Sequence, residues 1–199
     1  MTVRRKLILA SQSPRRKELL TMTGIPFETA SVEIEETFDP ALSVEENVME
    51  ISKQKAEAVV QTLPEVEAKA VVLGSDTTVV LDGKALGKPG DFDHAFEMLS
   101  ALQGRSHEVL TGFCILHGDE AIANYARTVV EIGVMTPGEI TRYVEVMKPF
   151  DKAGSYGIQD PLLACFVTRI DGCYYNVVGL PVSKVYAALK PLFPLDADR

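Results

Sequence analysis

The stretch LILASQSPRR, residues Leu7–Arg16, places a short apolar run directly before a helix-start signal. Residues 7–10 are predicted to form a buried strand, because short apolar runs bounded by polar residues are typical of one. Ser13 is a favourable N-cap, and Pro14 suits the first position of a helix, which is predicted to run to Thr23. The stretch therefore predicts a strand that leads into a helix N-terminus.

Strand and helix signals alternate along the rest of the chain, and this alternation indicates an α/β protein. The further predicted strands cover residues 27–32, 70–74, 77–81, 108–116, 121–132, 162–170 and 174–178. The further predicted helices cover residues 43–62, 136–147, 181–189 and a segment from Asp91 or Asp93 to Leu102. Hairpin turns are predicted at Asp82-Gly83, Gly118-Asp119 and Asp171-Gly172.

Length and composition limit the classes of protein that the chain can be. Its 199 residues, 46% of them hydrophobic and 24% charged, suit one globular domain over residues 1–199. The net charge of −8 argues against general nucleic-acid binding, which needs an extended basic surface. No apolar run approaches the ~18 residues of a membrane span. We expect a cytoplasmic protein that does not interact with membranes.

The first polar segment that can carry chemistry follows the first predicted strand. Ser11, Arg15 and Arg16 surround the predicted helix N-terminus. Free backbone N–H groups at such a position favour an anion, and arginine binds phosphate through paired N–H groups. The segment fits a phosphate site, and it also fits an ordinary solvated helix start.

A second segment, Gly74-Ser75-Asp76-Thr77, ends an apolar predicted strand, and Gly87-Lys88-Pro89 follows it. Carboxyl ends of strands in α/β folds are common ligand sites. There Asp76 can bind Mg²⁺ or accept a proton from water, and Lys88 can neutralise phosphate charge. The alternative is that Asp76 is a simple turn residue.

A third segment, residues 151–160, is a long loop with two glycines, an aromatic residue and an amide, which suits ligand binding. Within it Tyr156 fits the core equally well, and Gln159 fits an exposed position. Three carboxylates after the second predicted strand, Glu33, Glu35 and Glu36, are candidate metal ligands or a solvated edge.

Taken together, these segments resemble the Maf family of nucleotide pyrophosphatases. The matching motifs occur in family order over nearly the whole chain: LASQSPRRKELL at residues 9–20, Lys55-Ala56, Ser75-Asp76-Thr77, Gly87-Lys88-Pro89, Gly104-Arg105-Ser106-His107, DKAGSYGIQ at residues 151–159 and Gly179-Leu180-Pro181. The resemblance implies a mixed sheet flanked by helices, similar to ITPase, with two lobes, a central cleft and often a homodimer.

The resemblance also implies the reaction and its residues. A nucleoside triphosphate is expected to be cleaved between its α- and β-phosphates, with Mg²⁺ or Mn²⁺ as cofactor. Asp76 matches the catalytic base, and Glu36 and Asp76 are the best metal candidates. The remaining matching positions are Ser11, Arg15, Arg16, Lys55, Lys88 and Gln159.

Three positions divide the family by substrate. Where a subgroup resembling 7-methyl-GTP pyrophosphatases carries Trp, Gln and Glu, this chain has Arg15, Thr77 and Gln159. An amide at residue 159 can donate to a carbonyl and accept from an N–H, which suits uracil or thymine. The positions therefore resemble the dTTP/UTP subgroup. Asp160-Pro161 departs from it, because a glycine-rich stretch is expected after Gln159.

Two alternatives stay open at this point. One is a pyrophosphatase for purine nucleotides such as ITP or 7-methyl-GTP. The other is a regulatory binding protein that restrains septum formation without hydrolysis. Arg15 can contact the base, the phosphates or both.

Overall fold

A computed structural model describes residues 5–64 and 69–194. It contains the strands β1 (Leu7–Ala10), β2 (Phe27–Ala30), β3 (Val71–Leu81), β4 (Lys84–Leu86), β5 (Arg105–His117), β6 (Glu120–Ile132) and β7 (Val167–Asp171). The helices are α1 (Pro14–Thr21), α2 (Val44–Val60), α3 (Phe92–Leu102), α4 (Pro137–Met147), α5 (Tyr174–Val178) and α6 (Val182–Leu189). Short 3₁₀ turns lie at Ala153–Ser155 and Leu163–Cys165.

All seven strands belong to one mixed sheet, which confirms the predicted sheet and its flanking helices. The strand order is β2-β1-β3-β5-β6-β7, and β4 pairs with β3. β1 runs parallel to β2 and β3, whereas the β3–β4 and β6–β7 pairs are antiparallel. β5 and β6 are joined by two residues only, a connection that antiparallel strands alone permit.

The chain divides into two compact units. Unit 1 comprises the described residues up to Asp76, Thr111–Ala126 and those from Gly179 onward, and unit 2 comprises Thr77–Leu110 and Arg127–Val178. Three of the four unit boundaries fall within β3, β5 and β6, and the fourth follows α5. That residues 1–199 behave as one domain stays a prediction.

In unit 1, α2 lies unusually close to two strands. A Cβ atom added to Gly74 of β3 would lie 2.0 Å from the carbonyl oxygen of Ser52, and one added to Gly112 of β5 would lie 2.3 Å from that of Val48. Any side chain at either glycine would push the helix away. The two glycines therefore set the depth at which α2 packs and the position of the polar residues at its C-terminal half.

In unit 2, α3 and α4 bury one apolar face each. Ala95 and Leu102 are the most deeply buried residues of α3, and Tyr143 and Val144 are those of α4. The hydroxyl of Ser155, in the loop that follows α4, is also buried and contacts the sulfur of Met98 at 3.1 Å. The loop is thus part of the unit's interior.

Four of the predicted helix starts are confirmed by capping contacts. Ser43 and Thr136 each form a complete capping box, with Glu46 and Glu139 as the reciprocal partners. Asp91, one of the two residues considered, is the N-cap of α3. Ser13 caps α1 through the backbone N–H of Arg16. Among the described residues no helix combines the length and the apolar character that crossing a bilayer demands.

The predicted hairpin of residues 162–170 and 174–178 is wrong. Only Val167–Asp171 is a strand, and Tyr174–Val178 is the helix α5. The cause is tertiary, because the buried Asn176 donates from its amide to the carbonyl of Val109 and to the hydroxyl of Thr128, both at 3.0 Å. These contacts override the β propensity of the two tyrosines and two valines.

The predicted strands 70–74 and 77–81 form a single strand, β3, so Asp76 lies inside a strand and not at its end. The parallel pairing with β1 nevertheless stops at Leu73, and the pairing with β4 begins at Val79. Asp76 lies between these two registers. Its position beyond the carboxyl end of β1 is therefore the one expected of a site residue in an α/β fold.

Candidate active site

The predicted site residues of unit 1 come from the end of β1, the start of α1, the middle of β3 and the second half of α2. Ser11 follows β1, and its hydroxyl accepts a hydrogen bond from the backbone N–H of Ser13 at 3.2 Å. Arg15 and Arg16 occupy the first turn of α1. Ser11 and the two arginines therefore lie next to this helix N-terminus.

The centre of the site is an ammonium group held by two carboxylates. The Nζ atom of Lys55 lies 2.6 Å from Oδ1 of Asp76 and 2.9 Å from Oε1 of Glu36. The side chains of Lys55 and Asp76 are only 12% and 8% exposed, whereas that of Glu36 is 38% exposed. Water screens the inner pair less than the outer one, so the inner pair is the stronger interaction.

The close approach of α2 to β3 produces this contact. Gly74 and Asp76 lie on the same face of β3 because side chains alternate along a strand. Ser52 and Lys55 are three residues apart, so they lie on the same face of α2. The contact of Gly74 with Ser52 therefore brings Lys55 within hydrogen-bonding distance of Asp76.

Arg16 joins the cluster from α1. Its Nε donates a hydrogen bond to the carbonyl of Gly179 at 2.9 Å. Burial lowers the pKa of Arg16 below its ordinary value, and the negative charges of Asp76 and Glu36 offset part of this effect. Because a guanidinium stays protonated in proteins, Arg16 is a fixed positive charge that interacts electrostatically with the two carboxylates.

The carbonyl of Gly179 is a site component that the sequence argument did not identify. Gly179 was part of a matching motif without a role, and its φ of 128° is one that glycine adopts readily. Ser75, which precedes Asp76 in β3, is fully buried and donates to the carbonyl of Gly112 at 2.9 Å. Its hydroxyl is thus satisfied within unit 1.

Glu36 is distinguished from the neighbouring acids by its contact. All three of Glu33, Glu35 and Glu36 are exposed, and Glu36 is the one whose carboxylate reaches Lys55. Among the described residues, no group of three or more His, Cys, Asp or Glu side chains is arranged to hold a metal ion. Two carboxylates nevertheless fit Mg²⁺, which usually binds one or two of them together with substrate phosphates and water.

The predicted site residues of unit 2 are Thr77, Lys88 and Gln159. Thr77 follows Asp76 in β3 and is half-buried, while Lys88 and Gln159 are exposed. The carbonyl of Gly87 accepts a hydrogen bond from the backbone N–H of Gly154 at 3.0 Å. The segment that carries Lys88 is therefore tied to the loop that carries Gln159.

Buried polar groups hold that loop in place. The hydroxyl of Tyr156 lies 2.6 Å from Nε2 of His107, and both side chains are buried. Burial lowers the pKa of His107 to about 4 and raises that of Tyr156 above its usual range. Both groups are consequently neutral near pH 7, and Tyr156 belongs to the core, one of the two roles considered for it.

The chain belongs to the Maf family. The model of that family, described as Maf-like protein, matches residues 6–192, which confirms the resemblance found in the sequence. The chain is 86% identical to the dTTP/UTP pyrophosphatase of Chlorobaculum parvum, over 100% of both chains. It is 84% identical to the dTTP/UTP pyrophosphatase of Chlorobaculum tepidum, over 98% of this chain and 100% of that one.

The chain also matches a solved structure, which is titled nucleoside-triphosphatase, or dITP/XTP pyrophosphatase, from Mycobacterium abscessus. Its TM-score is 0.43 and its sequence identity 16%, over 96% of this chain and 100% of that chain.

Proposed function

We propose that this protein is a metal-dependent nucleoside triphosphate pyrophosphatase that converts dTTP and UTP to the monophosphate and pyrophosphate. The observation that carries the reaction is the placement of Asp76, whose carboxylate is nearly buried, held by Lys55 and faced by Arg16. Full-length relatives named dTTP/UTP pyrophosphatase support the choice of substrate.

In the proposed mechanism Asp76 orients a water molecule and accepts its proton as the water attacks the α-phosphorus. Lys55 fixes the direction of the carboxylate, because its ammonium binds one of the two oxygens and leaves the other for water. Arg15 and Arg16 stabilise the negative charge that develops on the phosphates. Ser11 adds a hydroxyl at the same helix N-terminus.

A bound cation is needed for charge balance. The cluster of unit 1 has three basic groups, Arg15, Arg16 and Lys55, against two carboxylates. A triphosphate carries several negative charges, so this small excess does not neutralise it. We assign Lys88 to phosphate binding as well, and Glu36 and Asp76 to Mg²⁺ or Mn²⁺. The metal would supply positive charge to the phosphate oxygens.

Substitution of Glu36 tests the metal assignment. Glu36→Gln should raise the Mg²⁺ concentration required for half-maximal activity several-fold, because a neutral amide is a weaker ligand than a carboxylate. Glu33→Gln is the matched control, since Glu33 is an exposed acid of the same segment. A metal titration that is the same for Glu36→Gln and the wild type would remove Glu36 from the metal site.

The proposed base selectivity rests on Arg15, Thr77 and Gln159. The amide of Gln159 can donate to a carbonyl oxygen of uracil or thymine and accept from N3–H, a pair that both bases present. Its exposure in the structure leaves the amide accessible to a ligand.

A nucleotide panel with product identification tests the function. Purified protein with Mg²⁺ should convert dTTP and UTP faster than ITP and 7-methyl-GTP, releasing pyrophosphate, and EDTA should abolish turnover. Release of orthophosphate in place of pyrophosphate, or no turnover of any nucleotide, would contradict the proposal.

We also propose that the protein acts in the cytoplasm as a homodimer, as the family resemblance implies. Light scattering of the purified protein should give twice the chain mass of 21.7 kDa. A monomeric mass at working concentration would contradict the dimer.

A further inference from the structure

The carboxylate of Asp160, next to Gln159 in the chain, connects several parts of unit 2. Its Oδ2 accepts a hydrogen bond from the hydroxyl of Tyr143 at 2.5 Å and one from the backbone N–H of Gly157 at 3.1 Å. The ammonium of Lys152 lies 3.8 Å from the same oxygen. The Asp160 side chain is only 12% exposed, so little water competes for these contacts.

The carboxylate closes a tight turn over residues 157–160. The backbone N–H of Asp160 donates to the carbonyl of Gly157 at 2.9 Å, and the N–H of Gly157 also reaches the hydroxyl of Tyr143 at 3.0 Å. A Cβ atom at Gly157 would lie 2.7 Å from Oδ1 of Asp160, so any larger residue there would displace the carboxylate from its present position. Within this turn Ile158 is buried and Gln159 is exposed.

Tyr143 anchors this turn to a helix. It lies on α4, which begins at the capping box of Thr136, and it is 1% exposed. Burial and the hydrogen bond to Asp160 raise the pKa of Tyr143 well above its usual range. The hydroxyl is therefore a permanent donor, and the turn is fixed to the rigid part of unit 2.

We propose that Asp160 and Tyr143 are positioning residues that fix the backbone turn carrying Gln159, and thereby position its amide and determine the preference for uracil or thymine over cytosine. This inference rests on the proposed function. An amide selects between bases only when its donor and acceptor are held in place, since a freely turning amide satisfies itself with water.

The kinetic test compares UTP with CTP, which share ribose and triphosphate, while cytosine presents an N4–H donor and an N3 acceptor in place of the O4 acceptor and N3–H donor of uracil. Asp160→Ala and Tyr143→Phe should lower the ratio of kcat/KM for UTP to that for CTP by roughly tenfold. Most of the change should appear in KM for UTP, with kcat nearly unchanged. Asp160→Asn keeps an oxygen acceptor and should restore most of the ratio. Asp171→Asn, an exposed acid in the same unit, is the control.

A second measurement does not require activity. Amide hydrogen exchange at Gly157 in nucleotide-free protein should accelerate roughly tenfold or more in Asp160→Ala and Tyr143→Phe, and stay at the wild-type rate in Asp171→Asn. Unchanged exchange at Gly157 would overturn the network. Faster exchange with an unchanged UTP to CTP ratio would overturn the role in selectivity.

The two measurements separate this inference from the function on which it rests. If the wild type hydrolyses no nucleotide, the proposed function falls and the selectivity role falls with it, while exchange at Gly157 still decides the network. Asp160→Ala could be tested only if it folds, which circular dichroism would show. Tyr143→Phe removes a single oxygen atom and is expected to fold, so it provides the same test if Asp160→Ala does not.

Discussion

The charged cluster of unit 1 and the loop of unit 2 hold their polar groups by opposite means. In unit 1, Lys55 forms direct ion pairs with Asp76 and Glu36, and Arg16 adds a further cation. In unit 2, the loop is held mainly by hydrogen bonds of buried neutral side chains, since His107 is bonded to Tyr156 and Tyr143 donates to the carboxylate of Asp160. The unit 1 cluster thus places charged groups at the proposed site, whereas the contacts of unit 2 fix the backbone of its loop.

This difference predicts different responses to substitution. A change in the unit 1 cluster alters charge next to the reaction and should affect turnover more than stability. A change in the unit 2 loop leaves a buried polar group without its partner and should affect stability or selectivity more than turnover. The following predictions test this contrast, beginning with the largest effect.

Removal of the charge of Asp76 should have the largest effect. Asp76→Asn should lower kcat by ~10²-fold or more, because an amide cannot accept the proton of the attacking water. Circular dichroism should show that the fold is retained. Asp82→Asn is the control, since Asp82 is an exposed turn residue with a φ of 50°, a conformation that asparagine tolerates. Turnover of Asp76→Asn close to that of the wild type would exclude Asp76 as the base.

His107 should make the stability of the protein depend on pH. Its folded pKa of about 4 lies below the usual value of 6.5, so between these values the unfolded chain binds a proton that the folded chain does not. The free energy of unfolding therefore falls as the pH falls through this range. Between pH 7 and pH 4.5 the wild type should lose about 2 kcal/mol more than His107→Gln.

Urea unfolding at both pH values measures this difference. His94→Gln, which changes an exposed histidine of the same unit, should lose as much stability as the wild type. If His107→Gln loses as much as well, the proton is not taken up at His107.

The helix caps should have the smallest effect. Ser43 begins α2, which carries Lys55, and Thr136 begins α4, which carries Tyr143. Ser43→Ala and Thr136→Ala should each lower the free energy of unfolding by about 1 kcal/mol. Activity should change by less than twofold, because neither cap touches the proposed site. A tenfold loss of activity in either variant would show that the cap has a role beyond its helix.

Much of the fold was predictable because its signals are local. The apolar run before Ser13, the capping boxes of Ser43 and Thr136 and the turn at Asp82-Gly83 depend on a few neighbouring residues. The hairpin near Asp171 failed for the opposite reason. There α5 forms because Asn176 finds hydrogen-bond partners on distant strands.

The candidate site divides in the same way. A helix N-terminus with Ser11 and Arg15 is recognisable from composition and spacing. Lys55 on a long helix reads as an ordinary polar residue, and only family order singled it out. Its contact with Asp76, and that of Glu36 with Lys55, bring together residues far apart in sequence.

The α/β pattern, the helix starts and the family could be predicted from the sequence alone, because each depends on short motifs and on the order of those motifs. Tertiary structure alone decided that Lys55 meets Asp76 and that Asp160 meets Tyr143. The physical reason is that these contacts depend on how closely elements pack. Gly74 lets α2 approach β3, and Gly157 lets its turn close on Asp160, where any larger side chain would prevent the contact.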